Sequence, residues 1–323
     1  MIGSGTAREV LAYAIPLRTR FRGLTVRDGM LLSGPSGWGE FSPFWDYDDD
    51  ESAAWLRAAL EAADDGWPAP VRGSIPVNVT IPAVDGADAH RLVVASGGCR
   101  TAKVKVAERG QDLGQEIARL EAVRDALGPD GAIRIDANGG WDLETALARL
   151  PILDRAAGGL EYAEQPVASV ADLAALRRRL EIPIAADESI RRAEDPLAVV
   201  RAEAADVVVL KVQPLGGVRA CLSLAEQVGL PVVVSSALET SIGLAAGVAL
   251  AAALPTLPYA CGLATAQLFT ADVVAEPLLP VDGAIPVRRP ELDVVRAGDV
   301  AAATDLSARW AARLDAVRGR MNA

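Results

Sequence analysis

The chain has 323 residues, of which 51% are hydrophobic, and a formal net charge of −11 at pH 7. This length predicts one large barrel domain or a barrel with a smaller domain, and the negative charge argues against nucleic acid as a partner, because phosphate backbones bind basic surfaces. The single histidine, His90, excludes a multi-histidine metal site and argues against a Ser-His-Asp triad, and the three cysteines lack the spacing of a zinc site.

Residues 1–73 predict a small α+β domain. The segment "LRTRFRGLTVRDGMLLSGPSGWGEFSPF" alternates apolar and polar residues around glycine-rich turns, which is typical of antiparallel strands, and "ESAAWLRAALEAADDG" follows as a helix. The N-terminus "MIGSGTAREV" has neither the basic start nor the apolar stretch of a signal peptide. We therefore expect a cytoplasmic protein.

Residues 74–288 predict a (β/α)₈ barrel. Short β-branched runs recur at intervals of about 25 residues, beginning at 74, 102, 132, 160, 183, 206, 231 and 257. Helical patterns lie between them, several opened by a capping aspartate or closed by glycine. Repeated strand-helix units with apolar strands are typical of this barrel. The alanine-rich stretch 242–255 is too short to cross a membrane and predicts a buried helix.

The C-terminal segment, residues 289–323, follows a link rich in proline and glycine. It contains "DLSARWAARLDAVRGR", an amphipathic pattern that predicts a helix folding back on the N-terminal domain. The fold class expected for the whole chain is therefore α/β: a (β/α)₈-type barrel with an N-terminal α+β capping domain that the C-terminal helix completes.

Acidic residues end three successive predicted strands: Asp136 in "IRIDAN", Glu164 in "EYAEQP" and Asp187 in "IAADES". The carboxyl ends of barrel strands meet at one end of the barrel, where barrel enzymes carry their chemistry. Three carboxylates there require a cation, and oxygen ligands favour a hard ion, so the pattern predicts Mg²⁺ with Mn²⁺ as a substitute. One such acid alone would more often cap the next helix.

Only three of the 32 basic residues are lysines: Lys103, Lys105 and Lys211. A lysine kept among arginines predicts a task that arginine cannot perform, such as proton transfer near neutral pH, although compositional drift is the alternative. Lys103 and Lys105 lie two apart on the second predicted strand and so share one face. Lys211 lies late on the sixth strand, opposite them, which predicts an amine on each side of a bound substrate.

The ordered motifs "KVK", "DAN", "EQP", "DES" and "LK" resemble the enolase superfamily and, within it, the muconate-lactonizing-enzyme-like subgroup, whose fold is a modified TIM barrel. The resemblance extends over nearly the whole chain, including the capping domain. It implies metal ligation by Asp136, Glu164 and Asp187, acid-base chemistry by Lys105 with Lys103 as its electrostatic neighbour and Lys211 opposite, and supporting roles for Asn138 and Glu188.

The segments "RTRFRGLTVRDGMLL", "GWGEFSPF" and "VVVSSALETSIGL" are similar to the o-succinylbenzoate synthase family of actinobacteria. This resemblance implies Mg²⁺-dependent syn-dehydration of 2-succinyl-6-hydroxy-2,4-cyclohexadiene-1-carboxylate to 2-succinylbenzoate through a metal-stabilised enediolate, in menaquinone biosynthesis. Ser235 and Ser236, with backbone amides near the end of the seventh predicted strand, are then candidates to receive the succinyl carboxylate, or they simply begin a loop. Arg20 and Arg22 are candidates for a cap loop that closes the site, with Arg20 as a substrate-binding residue. Alternatively, both are ordinary surface arginines.

Two other functions stay open. The first is racemisation or epimerisation of a carboxylate, above all of N-acylamino acids, with Lys105 and Lys211 each serving one face. The resemblance disfavours dipeptide epimerisation, because dipeptide epimerases of this subgroup usually carry a D-x-D pair after the eighth strand to hold the substrate ammonium, and here no acid follows that predicted strand before Asp272. The second is a non-catalytic sensor of metal and carboxylate, although no lysine or metal ligand is lost. The expected partner is a small-molecule carboxylate, with no nucleic acid, membrane or obligate protein partner.

Overall fold

The structure, a computed structural model, describes residues 8–321. The strands are β1 (Val10–Phe21), β2 (Leu24–Gly34), β3 (Gly37–Phe41), β4 (Ser74–Pro76), β5 (Asn78–Ile81), β6 (Thr101–Lys105), β7 (Ala132–Asp136), β8 (Tyr162–Glu164), β9 (Ile184–Ala186), β10 (Val207–Leu210), β11 (Val232–Val234) and β12 (Ala284–Pro286). The α-helices are α1 (Asp49–Leu60), α2 (Gly86–Val94), α3 (Leu113–Leu127), α4 (Leu143–Ala157), α5 (Val170–Arg177), α6 (Glu188–Arg191), α7 (Ala198–Arg201), α8 (Val218–Val228), α9 (Ser241–Ala253), α10 (Val294–Asp299) and α11 (Thr304–Met321). A π-helical turn over Glu61–Asp65 extends α1, and a 3₁₀ helix covers Ala264–Leu268.

The N-terminal part forms the predicted antiparallel sheet and helix. Strands β1, β2 and β3 pair in sequence order, and α1 packs on β3. The Asp48 side chain caps α1 by accepting a hydrogen bond from the Glu51 amide, and the Glu51 side chain accepts one from the Asp48 amide. This capping box satisfies two donors that a helix start leaves free, so the helix begins directly beside the sheet.

The middle of the chain forms the barrel. Strands β5 to β11 make one parallel sheet in sequence order, and helices alternate with them along the chain. Asp112 and Asp142 cap α3 and α4, whereas Gly128 and Gly158 end them with positive φ angles of 75° and 68°. These are the aspartate starts and glycine ends that the sequence predicted, and they return the chain to the next strand.

The predicted eighth barrel strand is reduced to two residues. "LPYACG" predicted a strand from residue 257, but only Cys261 and Gly262 pair there, through isolated parallel bridges to Val77 and Ser235. Pro258 has no amide hydrogen to donate to a ladder, and glycine weakens a strand, which limits the pairing. The barrel therefore closes through a short contact between its first and last strands.

The C-terminal helix completes the capping domain as predicted. Helix α11 packs against α1 and β1. Trp310 is fully buried, and its indole nitrogen donates to Asp28 Oδ2 at 2.8 Å. Arg313 donates to backbone carbonyls of the loop between β3 and α1, including that of Tyr47 at 2.6 Å. The two ends of the chain thus share one hydrophobic core, separate from that of the barrel.

The alanine-rich helix α9 is buried along almost its whole length, as the sequence predicted. Between residues 8 and 321, no helix combines the length and apolar character that a membrane span requires.

Candidate active site

Three buried carboxylates gather at the carboxyl end of the barrel. Asp136 is the last residue of β7 and Glu164 the last of β8, and these two residues are partners in the register of the two strands. Asp187 directly follows β9. All three are at most 1% exposed. The sequence predicted that these three side chains meet at one end of the barrel. They occupy three consecutive positions around that rim.

Two lysines of β6 reach the same carboxylates. Lys103 Nζ lies 2.9 Å from Asp136 Oδ2 and 2.8 Å from Glu164 Oε1. Lys105 Nζ lies 2.5 Å from the same Asp136 oxygen. Because the two lysines are separated by one residue, both point into the barrel, while Ala102 and Val104 between and beside them join the apolar layer under the helices.

The third lysine approaches from the other side. Lys211 directly follows β10, and its Nζ lies 2.6 Å from Asp187 Oδ2. The other oxygen of Asp187 accepts from Arg191 Nε at 3.0 Å. The structure thus brings together all three lysines and all three acids that the sequence selected, with Lys211 at the end of β10, which β7, β8 and β9 separate from β6.

Burial and charge set the protonation states. Burial alone would raise the pKa of Asp136, but Lys103 and Lys105 outweigh it and hold that pKa well below its usual value. Burial would lower the pKa of Lys103, but Asp136 and Glu164 raise it well above normal. For Lys211 burial prevails over Asp187, and its pKa is lowered. The Lys103 amine therefore stays charged, while Lys211 gives up its proton more easily than a free lysine.

Glu164 differs from its neighbours. Its pKa is raised, first by burial and then by the negative charge of Asp136. Three buried carboxylates on adjacent strand ends repel one another, and a divalent cation at this rim would relieve that repulsion. Within residues 8–321, no three or more His, Cys, Asp or Glu side chains are arranged so that they could hold a metal ion as they stand. The chemistry of the donors nevertheless fits a hard divalent ion, because all three are carboxylates.

The two residues predicted to support the site form a bridge beside it. Asn138 Oδ1 accepts from Lys105 Nζ at 2.6 Å, and Asn138 Nδ2 donates to Glu188 Oε1 at 3.1 Å. Glu188 Oε1 also accepts from Arg191 at 2.6 Å. Asn138 has a φ of 47°, a left-handed conformation that asparagine tolerates better than most residues. The bridge fixes the direction of the Lys105 amine.

A small cavity of about 30 Å³ lies over this rim and adjoins an open cleft of about 390 Å³. Four residues border both spaces: Phe21, Arg22, Lys105 and Asn138. The Lys105 amine stands 5.6 Å from the centre of the Phe21 ring, which belongs to the cap. The cap loop between β1 and β2 therefore forms one wall of the space beside the lysine.

The two serines after β11 have different surroundings. Both border the small cavity. The Ser236 hydroxyl is shared with Thr265 at 2.5 Å and accepts from the Leu238 amide, and the Ser236 amide donates to Gly262. The Ser235 amide donates to Leu210. The backbone amides of both serines, proposed from the sequence as carboxylate donors, are thus already used in closing the barrel and shaping the loop. Of the two serine hydroxyls, that of Ser235 is left to contact a substrate at the cavity.

The arginines of the cap loop lie at the entrance. Arg20 and Arg22 are exposed and border the open cleft together with Arg109, which follows β6.

The sequence did not reveal three residues of the site: Arg109, Arg191 and Tyr47. Arg191 lies four residues after Asp187, a helical spacing that could have revealed it. Nothing in the local sequence marks Tyr47, which meets Arg191 across 144 positions of the chain.

Two family descriptions match the chain. "Enolase C-terminal domain-like" covers residues 86–291 and "Enolase N-terminal domain-like" covers residues 12–63. Among solved structures, the muconate lactonizing enzyme from Pseudomonas fluorescens, complexed with muconolactone, has a TM-score of 0.78 at 23% identity, covering 92% of this chain and 98% of that one. The L-Ala-D/L-Glu epimerase from Bacillus subtilis has a TM-score of 0.74 at 22% identity, covering 88% and 96%. These structures establish the fold.

Curated relatives are much more similar in sequence. The o-succinylbenzoate synthase of Thermobifida fusca (strain YX) is 65% identical over 307 residues, which cover 95% of each chain. That of Mycobacterium ulcerans (strain Agy99) is 55% identical over 304 residues, covering 94% of this chain and 91% of the relative. The chain therefore belongs to the o-succinylbenzoate synthase family of the enolase superfamily.

Proposed function

We propose that this protein is a hydro-lyase that converts 2-succinyl-6-hydroxy-2,4-cyclohexadiene-1-carboxylate to 2-succinylbenzoate by syn-dehydration. The observation that carries the proposal is the position of Lys105, whose amine borders both the small cavity and the open cleft and is held by Asp136 and Asn138. The printed name of the curated relatives, at 65% and 55% identity, supports the same activity.

Lys105 performs both proton transfers. Its neutral amine removes the proton alpha to the ring carboxylate, and the electrons of that C–H bond pass into the carboxylate to give an enediolate. When the bond to the ring hydroxyl breaks, the ammonium returns the proton to the departing oxygen, which leaves as water. The hydrogen and the hydroxyl leave from the same face in a syn elimination, so a single amine can reach both.

The other two lysines act by charge. Lys211, across the barrel beside Asp187, is a cation facing the ring and the enediolate. Lys103 is bonded to Asp136 and Glu164 and holds both carboxylates in place beneath Lys105. Neither needs to exchange a proton with the substrate during dehydration.

Asp136, Glu164 and Asp187 would hold the divalent cation, which we propose is Mg²⁺ with Mn²⁺ as a substitute. When bound, it supplies positive charge against the negative charge that develops on the substrate carboxylate. The convergence of three buried carboxylates, two of them partners in strand register, supports a need for such charge at this rim.

The second carboxylate of the substrate, on the succinyl arm, needs its own partners. We propose that the Ser235 hydroxyl contacts it at the cavity and that Arg20 and Arg22 attract it at the cleft. Ser236 acts through the shape of the loop, because its hydroxyl is hydrogen-bonded to Thr265 and to the Leu238 amide.

The three cysteines are buried and unpaired, which fits the reducing cytoplasm, where we place this step of menaquinone biosynthesis.

A second candidate, N-acylamino acid racemisation, is favoured by one observation: Lys105 and Lys211 approach the cavity from different strands, so a base stands on each side. The two reactions separate in the variant Lys211→Arg. Arginine keeps the cation but cannot act as a base. We expect this variant to retain measurable dehydration and to lose any racemisation.

The experiment measures both reactions in the unmodified protein and in Lys211→Arg, with added Mg²⁺ and after exhaustive chelation. Dehydration that depends on the divalent cation, and that persists in the variant, supports the proposal. Rapid racemisation with negligible dehydration by the unmodified protein would make the racemase the principal function. Full dehydration after chelation would contradict the proposed cation site.

A further inference from the structure

A buried chain of polar contacts joins the capping domain to Asp187. The guanidinium of Arg191 donates from Nε to Asp187 Oδ1 at 3.0 Å and from Nη2 to Glu188 Oε1 at 2.6 Å. Its third nitrogen, Nη1, donates to the hydroxyl of Tyr47, a residue of the loop between β3 and α1. Arg191 is 7% exposed and Tyr47 5%. One arginine thus binds the barrel rim with two nitrogens and the cap with the third.

This arrangement uses a property that only arginine has. Its planar guanidinium presents donors in a fixed fork, so binding Tyr47 determines the direction of the Nε that binds Asp187. Burying a guanidinium is costly unless each donor finds a partner, and here each nitrogen has one.

Tyr47 is itself held rigidly by the cap. Its ring stands edge-on to Trp55 with 5.4 Å between ring centres, and its carbonyl accepts from Arg313 of α11 at 2.6 Å. The hydroxyl of Tyr47 is therefore placed by the N-terminal domain and by the C-terminal helix together. This hydroxyl can therefore fix the position of the Arg191 guanidinium, because it has no other protein partner in the described part of the chain.

We propose that Tyr47 and Arg191 are positioning residues through which the capping domain orients Asp187 for the divalent cation; this rests on the cation site of the proposed function. Arg191 engages Oδ1 and leaves Oδ2, which contacts Lys211 at 2.6 Å, directed to the barrel interior. Partners that orient a ligating carboxylate typically change metal affinity by about 10- to 100-fold when they are removed. The cap thereby contributes to cation affinity without supplying a ligand.

The test uses three variants that keep the net charge. Tyr47→Phe removes only the hydroxyl, and Arg191→Lys keeps the positive charge but loses the fork. Arg192→Lys is the matched control, because the adjacent Arg192 also stacks on the Tyr47 ring but pairs with Glu51 at the partly exposed edge of the cap instead of with Asp187. Mn²⁺ and Mg²⁺ binding to the substrate-free protein is measured by calorimetry, and Tm is measured in chelator.

We expect the Kd for both cations to rise about 10- to 100-fold in Tyr47→Phe and Arg191→Lys and to stay within about twofold in Arg192→Lys. The Tyr47→Phe result decides if Arg191→Lys does not fold. Equal Kd values for Tyr47→Phe and the unmodified protein would overturn the inference, as would an equal loss of affinity in Arg192→Lys, which would indicate general loosening of the interface. No cation binding by the folded, unmodified protein would instead refute the proposed cation site on which the inference rests.

Discussion

The three lysines have the same chemistry but different surroundings. Lys103 is bonded to two carboxylates deep in the barrel, Lys211 to one, and Lys105 to Asp136 and Asn138 at the border of the cleft. The side chain of Lys105 is 11% exposed and that of each of the other two 8%. A proton acceptor must reach its substrate, and Lys105 has the cleft on one side. These contacts support different roles for residues that are alike in sequence.

Replacing Lys105 by arginine tests this difference. Lys105→Arg keeps the charge but removes the base, so kcat should fall by about 10²- to 10⁴-fold or more, because general acid-base catalysis contributes that much per transfer. Lys103→Arg should lose less, since its proposed role is to hold Asp136 and Glu164. Steady-state kinetics give kcat, and Tm is the control for folding. Near-normal turnover in Lys105→Arg would mean that lysine is retained here for no chemical reason.

At the scale of elements, the segment between β11 and α9 is held from two sides. Glu40, the fourth residue of the cap strand β3, accepts from the Thr240 amide at 3.1 Å and from the Gly243 amide at 3.2 Å at the start of α9. Arg27 of β2 is buried and donates to the Leu238 carbonyl at 2.9 Å. Leu238 has a φ of 67°, which is strained for a residue with a side chain. The cap therefore stabilises a loop conformation at the cavity that the loop alone would not favour.

Glu239 in the same loop makes stability depend on pH. Burial, and then the charge of Glu40, raises the pKa of Glu239 to about 7. The native state therefore binds more protons than the unfolded state between the ordinary glutamate pKa and pH 7, and the free energy of unfolding falls as pH rises through that window. At about 1.4 kcal/mol per pKa unit, the effect is on the order of 3 kcal/mol.

Glu239→Gln should abolish this contribution, so the loss of stability between about pH 5 and pH 8 should shrink by a comparable amount. Urea unfolding at the two pH values measures it. Glu226→Gln, on the exposed face of α8, is the control and should behave like the unmodified protein. The prediction fails if Glu239→Gln and the unmodified protein lose equal stability over this range.

At the scale of the whole molecule, the capping domain is built from both ends of the chain. Its core joins Tyr13 and Phe41 of the N-terminal strands to Trp310 and Leu314 of α11, and it continues to Leu238 at the barrel rim. A substitution that destabilises the C-terminal helix should therefore affect the active site, although the helix itself does not border the cavity.

Trp310→Ala tests that continuity. Trp310 packs edge-on against Phe41 and lies 4.6 Å from the Trp45 ring centre, and truncating a buried tryptophan costs about 3–5 kcal/mol. We expect a lower Tm and a higher KM, because the cap walls the cleft. Arg318→Ala, at a partly exposed position of the same helix, should change stability by less than about 0.5 kcal/mol. Unchanged Tm and KM in Trp310→Ala would show that the packing of α11 does not support the active site.

The sequence by itself determined the barrel, the cap and the six charged residues of the rim. Apolar runs at regular intervals specify parallel strands, and the carboxyl ends of such strands must meet, so Asp136, Glu164 and Asp187 could be placed together before any contact was known. Lysine rarity then identified Lys103, Lys105 and Lys211 for a chemical reason. The divisions of the chain at residues 73 and 288 stay predictions.

Only the tertiary structure decided how these groups are paired and what holds them. Which carboxylate each lysine contacts depends on strand register, and the link from Tyr47 to Arg191 joins residues 144 positions apart in the chain. The two-residue eighth strand and the use of the Ser235 and Ser236 amides in closing the barrel also follow from how the ends of the sheet meet. Local periodicity encodes elements because it reflects neighbours along the chain, whereas these contacts arise between elements and depend on their packing.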